Sequence, residues 1–240
     1  MIRANYFAYS EKKSVVVIDG DNPQYTIYYR RERDLKQINL SERVLKSHEG
    51  TEVGLYNVFR GVADETQVSE AEQIFPITKL IDAFSQQSDI DYIFVDLTGT
   101  LNTPSYIDII RRINYIFVPI GESDAMFDGN YRSLFALKLI VDNSQNNIKG
   151  IFEFWTLFRE KMSKLLYENL CDKIESFNDA TKGGKIRFEL MKSKIKDSQM
   201  PQSTEMFNTI APPPKSCVSV KPGGFKISDF ITEFKILIGE

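Results

Sequence analysis

Three aspartates carry the chemical signal in this 240-residue chain. Asp19 and Asp21 close the segment Val15-Val16-Val17-Ile18-Asp19-Gly20-Asp21-Asn22-Pro23-Gln24, and Asp96 closes Tyr92-Ile93-Phe94-Val95-Asp96 ahead of Leu97-Thr98-Gly99. Carboxylates at such positions can orient an attacking water or hold a hydrated divalent cation, because hard cations take oxygen ligands and magnesium keeps several waters. A strand followed by a polar turn would account for the first segment equally well.

The elements that must position these acids are strands. Val15 to Ile18 is an unbroken β-branched run, the pattern of a strand buried on both faces of a parallel sheet. In open α/β sheets ligands bind beyond the carboxyl ends of strands, where both acid groups fall. Gly20 is expected to let the backbone turn between Asp19 and Asp21, and Pro23 to stop the strand. Further strands are expected at 55–59, 115–120, 150–156 and 186–190. Helices are expected at 25–37, 105–114, 127–141 and 160–177. Another carries Ile77, Leu80, Ile81 and Phe84 at i, i+3, i+4 and i+7 behind Pro76. The first residues, to Glu11, read as the last turns of an amphipathic helix. A closing helix with Phe230, Ile231 and Phe234 is expected behind an N-cap at Ser228. Residues 208–224, rich in Pro and Gly, read as loop. Strands alternating with helices predict one mainly parallel, three-layer α/β domain over residues 1–240.

Composition narrows the partners. A net charge of −3 gives no global field for nucleic acid, so any DNA contact needs a local basic patch. Arg30-Arg31-Glu32-Arg33 reads as a solvated helix face rather than such a patch. Two distant cysteines, Cys171 and Cys217, and a single histidine, His48, argue against zinc and fit a reducing cytoplasm. No apolar run approaches the roughly 20 residues of a membrane span. The N-terminal residues lack the apolar core of a signal peptide.

Four apolar residues, then Asp96, then Gly99, resemble the Walker B strand of P-loop nucleotidases, whose carboxylate holds Mg²⁺ through water. With the Asp-Gly-Asp-Asn-Pro-Gln segment at 19–24, the chain resembles the ParA/MinD family of deviant Walker ATPases, and within it the TraA-type proteins of conjugative elements. The resemblance covers nearly the whole chain. It departs by one residue from the family's Asp-x-Asp-Pro-Gln, with Asn22 inserted before Pro23.

The resemblance implies a three-layer α/β/α P-loop NTPase-like fold. It implies an ATPase of conjugal transfer or plasmid and mobile-element DNA partition, in which ATP and Mg²⁺ switch a homodimer. A partition or conjugation partner protein and non-specific DNA are the implied partners. Residue by residue, Asp21 matches the acid that orients the attacking water, Asp19 its companion near the metal, and Asp96 the Walker B acid. Pro23 and Gln24 match a structural turn. Thr156 stands where the family has an adenine-reading Asn. Pro212 and Pro213 fall in a segment like the late loop that packs on the adenine, though a plain surface loop would look the same. Residues 192–198 resemble the segment before that loop, or a solvated strand end.

No Gly-x-x-x-x-Gly-Lys-Ser/Thr segment occurs. Thr181-Lys182-Gly183-Gly184-Lys185 comes nearest, but it falls between a helix and a strand, the reverse of a phosphate loop, and reads as a turn. Against the family pattern, the expectation is an N-terminal truncation that removes the first strand, the phosphate loop and the first helical turns together. The chain as written is then expected to be inactive. The alternative is a degenerate, non-catalytic homologue that only binds partners.

Overall fold

The computed structural model describes residues 2–37, 56–98, 105–121, 124–143, 145–158, 164–181, 186–196 and 227–240. In chain order these form α1 (Ile2–Asn5), which runs into a π-helical turn at Tyr6–Ser10, then β1 (Val15–Gly20), α2 (Thr26–Gln37) and β2 (Asn57–Val62). A short 3₁₀ turn at Glu65–Gln67 leads to β3 (Ile74–Pro76), α3 (Ile77–Ser85), β4 (Tyr92–Leu97) and α4 (Ser105–Ile110). The rest are β5 (Tyr115–Ile120), α5 (Asp124–Asp142), β6 (Gly150–Phe158), α6 (Lys164–Thr181), β7 (Arg187–Lys196) and α7 (Ile227–Ile238). Among the described residues every pairing between these strands is parallel, so the chain is an α/β protein with two parallel sheets flanked by helices. Among the described residues no helix is long and apolar enough to cross a membrane.

The chain divides into two compact units. The first holds a four-stranded sheet in the order β3-β2-β1-β4. All six residues of β1 are buried, as a central strand covered on both faces must be. Phe7, in the π-helical turn, packs on Tyr92 with ring centroids 4.6 Å apart. That contact lays the N-terminal helix on one face of the sheet, beside α2. On the other face, Phe59 of β2 meets Phe84 of α3 at 4.9 Å.

Gly20 acts differently from its expected role. It closes β1 and does not adopt the left-handed conformation; among glycines of the described residues only Gly239 does. Its importance is close approach. A Cβ on Gly20 would lie 2.8 Å from Ile77 Cδ1, and one on Gly61 2.6 Å from Ile77 Cγ1. The two glycines form a slot into which the first residue of α3 is pressed. Pro76 caps that helix instead of beginning it.

The second unit holds the sheet β5-β6-β7. On one face Phe117 packs on Phe234 of α7 at 4.5 Å, and Phe154 on Phe230 at 5.3 Å. On the other, Trp155, Ile120 and Ile174 form a buried cluster with Tyr131 and Cys171 packed against it. Glu233 of α7 accepts the backbone N–H groups of Lys192 and Ser193 at 2.7 and 2.8 Å, which ties the closing helix to the irregular end of β7. Ser228 lies inside α7, which starts at Ile227, two residues before the Asp229 start that an N-cap at Ser228 would give.

Arg31 corrects the reading of Arg30–Arg33 as a uniformly solvated face. It is buried, donates to the Tyr9 hydroxyl at 3.1 Å and to the Tyr56 carbonyl, and stacks on the Tyr56 ring with its guanidinium 4.3 Å from the centroid. Asn5 accepts from the Tyr56 hydroxyl, so one polar network joins α1, α2 and the start of β2.

Candidate functional site

The sheet order makes β1 and β4 neighbours, and the register sets Asp19 directly opposite Asp96. Register partners in a parallel pair point to the same face, so both carboxylates rise on the face covered by α1 and α2. Arg60 of β2 is the register partner of Asp19 on the other side. A row of three charged residues, Arg60, Asp19 and Asp96, thus crosses three strands near their carboxyl ends. Asp21 follows β1 by one residue.

Asp19 is fully buried and already occupied. The N–H groups of Ile27 and Tyr28 donate to its Oδ2, both at 2.9 Å, and Asp21 N–H donates to its Oδ1 at 3.3 Å. Ile27 and Tyr28 belong to the first turn of α2, whose N–H groups have no partner within the helix. Asp19 therefore acts as an N-cap supplied from a strand eight residues away. The intervening chain makes this possible: Asn22 N–H reaches back to the Gly20 carbonyl, Tyr25 N–H to the Asp21 carbonyl, and Tyr25 takes a φ of 40°. The Asn22–Pro23 peptide is cis. Burial raises the Asp19 carboxyl above its ordinary range, and the three N–H donors oppose that rise.

Asp96 keeps contact with solvent. The protein around it nevertheless raises its carboxyl above the ordinary range by withholding water, and the negative charges of Asp19 and Asp21 push the same way. Burial is the larger cause for both carboxyls, and at Asp96 the neighbouring negative charges add to it. Among the described residues no group of three or more His, Cys, Asp or Glu is placed to hold a metal ion. A magnesium ion that keeps most of its waters would need only one or two carboxylates, and Asp96 and Asp21 are the acids here that could serve it. Asp19, with its oxygens taken by backbone N–H groups, fits a supporting position better than a direct ligand.

Thr156 lies on β6 in the second unit, half-buried. Residues 192–196 form the end of β7, and 197–198 lie outside the described residues, as do Pro212, Pro213 and residues 182–185.

Two residues outside the motif stand out. Arg60 lies within the same charged row, one position past the strand expected at 55–59. Glu153 sits at the middle of β6, fully buried, with neither carboxylate oxygen hydrogen-bonded, and burial pushes its pKa up to about 7. A single acid inside Ile151-Phe152-Glu153-Phe154-Trp155 is a visible break in an apolar strand, and that was the available signal.

No protein-family model matches this chain, and neither does any curated protein.

Proposed function

We propose that the chain is a ParA/MinD-like nucleotide-switch protein of conjugal transfer or mobile-element DNA partition, with Mg²⁺-ATP as its ligand. The observation that carries the reading is the register pairing of Asp19 with Asp96 at the carboxyl ends of adjacent parallel strands, with Asp21 one residue beyond. Asp96 would hold the ion through water and Asp21 stands where the attacking water would be oriented, but without a phosphate-loop segment the chain as written is proposed not to hydrolyse ATP. Asp19 fixes the start of α2 and, through its own Oδ1, the backbone of Asp21. The bound ion would supply charge neutralisation of the phosphates. ATP-dependent homodimerisation and binding of a partition or conjugation partner belong to the same proposal.

A second reading, a non-catalytic module that only binds partners, is favoured by the commitment of Asp19 to capping. Titration of Mg²⁺-ATP by calorimetry separates the two. The ATPase-like reading expects weak, Mg²⁺-dependent binding that Asp96→Ala abolishes without unfolding the protein. Absence of binding at millimolar nucleotide would overturn it and leave the partner-binding module. Binding unchanged by Asp96→Ala would remove the assigned site.

A further inference from the structure

We propose that Arg60 anchors an oxyanion site, where a phosphate group docks against the tyrosines at the start of α2. Its guanidinium lies 4.6 Å from the ring centroid of Tyr28, 5.8 Å from that of Tyr25 and 5.9 Å from that of Tyr29. Three aromatic rings hold one cation in place, and ring faces attract a guanidinium without using its N–H groups.

Those N–H groups are nearly idle. A guanidinium carries five donors in a fixed fork. Nη1 makes one long, exposed bond, 3.4 Å to the Tyr29 hydroxyl. Nε is buried with no acceptor, and no carboxylate among the described residues pairs with the side chain. Asp19 is the register partner of Arg60, yet its oxygens are turned to the N–H groups of α2. Most guanidinium groups held this firmly have a counter-ion, because a partly desolvated cation is costly alone. The Nη edge that meets solvent beside Tyr29 suits two oxygens of one phosphate, the bidentate geometry arginine favours. Tyr29 is 52% exposed, so its hydroxyl can give way to a stronger acceptor.

The tyrosines also limit what enters. Tyr25 is buried, its hydroxyl has no partner, and its ring packs with Val62 and Ile74 beneath Tyr28. The floor of the site is thus fixed, and the exposed Tyr29 stands at its open side. Nearby acids are Asp19, whose charge is shared among three N–H donors, and the exposed Glu72.

The test uses the whole chain at constant ionic strength, with sodium phosphate replacing sodium chloride. Nitrogen–proton correlation spectra should show a saturable displacement of the Arg60 Nε–Hε resonance. The melting temperature should rise with phosphate in the wild type and stay flat in Arg60→Gln, as linkage requires of a ligand that binds only the folded form. Arg60→Lys keeps the charge without the fork and should retain only part of the rise. Competition by AMP would assign the site to nucleotide phosphate and its absence to free phosphate; either upholds the site. Asp96→Ala should leave the phosphate response intact, which separates this site from the Mg²⁺-ATP reading. An unmoved Arg60 resonance, or equal melting shifts in wild type and Arg60→Gln, overturns the proposal. If Arg60→Gln does not fold, the wild-type resonance alone decides.

Discussion

Asp19 and Asp96 face one another across the β1–β4 pair, but they live in different surroundings. Asp19 is sealed and holds three backbone N–H groups, while Asp96 meets solvent, and among the described residues no backbone N–H donates to its oxygens. One carboxylate is structural cement for a helix start; its neighbour is the group available to a ligand. That division leads to separable effects on stability and on binding.

Asp19→Ala should destabilise the first unit. It removes the acceptor for two N–H groups of α2 and leaves them without a partner, a loss of about 1–2 kcal/mol by the standard of N-cap replacement. Asp19→Asn keeps one carbonyl oxygen and should lose less. Urea unfolding of the two variants checks the order. Equal stability in wild type and Asp19→Ala would mean the cap contributes nothing.

Gly61→Ala should cost about 1–3 kcal/mol, since the added methyl meets Ile77 Cγ1 at 2.6 Å and Ile18 Cγ2 at 2.8 Å in a packed core. The cost of Gly61→Ala should shrink in an Ile77→Ala background, because alanine removes the Cγ1 atom that the new methyl meets, whereas valine would keep it. A double-mutant cycle by chemical denaturation measures the coupling. Strict additivity would show that the contact is not the cause.

Glu153 gives the protein a pH dependence of definite sign. Its folded-state pKa, about 7, lies above the ordinary value of 4.5, so the folded form favours the protonated acid. Stability from this group is fully present below pH 4.5 and is lost as pH rises toward 7, by about 3 kcal/mol in all. Glu153→Met should flatten that slope and raise stability at pH 8. Trp155, the one tryptophan and fully buried two residues away, reports unfolding by fluorescence. A slope that persists in Glu153→Met would assign it to another group.

Arg31→Lys should cost about 1.5–3 kcal/mol despite the retained charge. An ammonium cannot reach the Tyr9 hydroxyl and the Tyr56 carbonyl together while lying flat on the Tyr56 ring. Thermal melting checks it, with Arg33→Lys, which is exposed, as the silent comparison.

The residues that were legible in sequence are those whose signal is local. Val15–Ile18 and Tyr92–Val95 announce strands because four apolar residues in a row have no other economical use; β1 is central and buried on both faces, while β4, its parallel partner, lies at the edge of the sheet and is half-buried. β3 was not legible: Ile74–Pro76 is three residues long, ends in proline and is recognisable only by its pairing with β2. The cap from Asp19 to α2 was hidden for another reason. It depends on Tyr25 at a positive φ folding the chain back, and an aromatic residue gives no hint of that conformation. Gly20 was visible as a glycine but not as a slot, since the residue that fills it, Ile77, lies far along the chain. Arg31 looked like its neighbours Arg30 and Arg33, and only the placement of Tyr9 and Tyr56 separates it from them.

The complete burial of β1 bears on time as well as on place. Its amides are bonded into a sheet with strands on both sides, so they can exchange with solvent only when the first unit opens as a whole. Residues at the end of such a strand inherit that persistence. Fraying that reaches the helices would leave the backbone of Val16–Asp19 in its deuterium-protected state. The spacing between Asp19 and Asp96 therefore lasts for as long as the unit is folded, and a ligand meets the carboxylates at a separation set before it arrives.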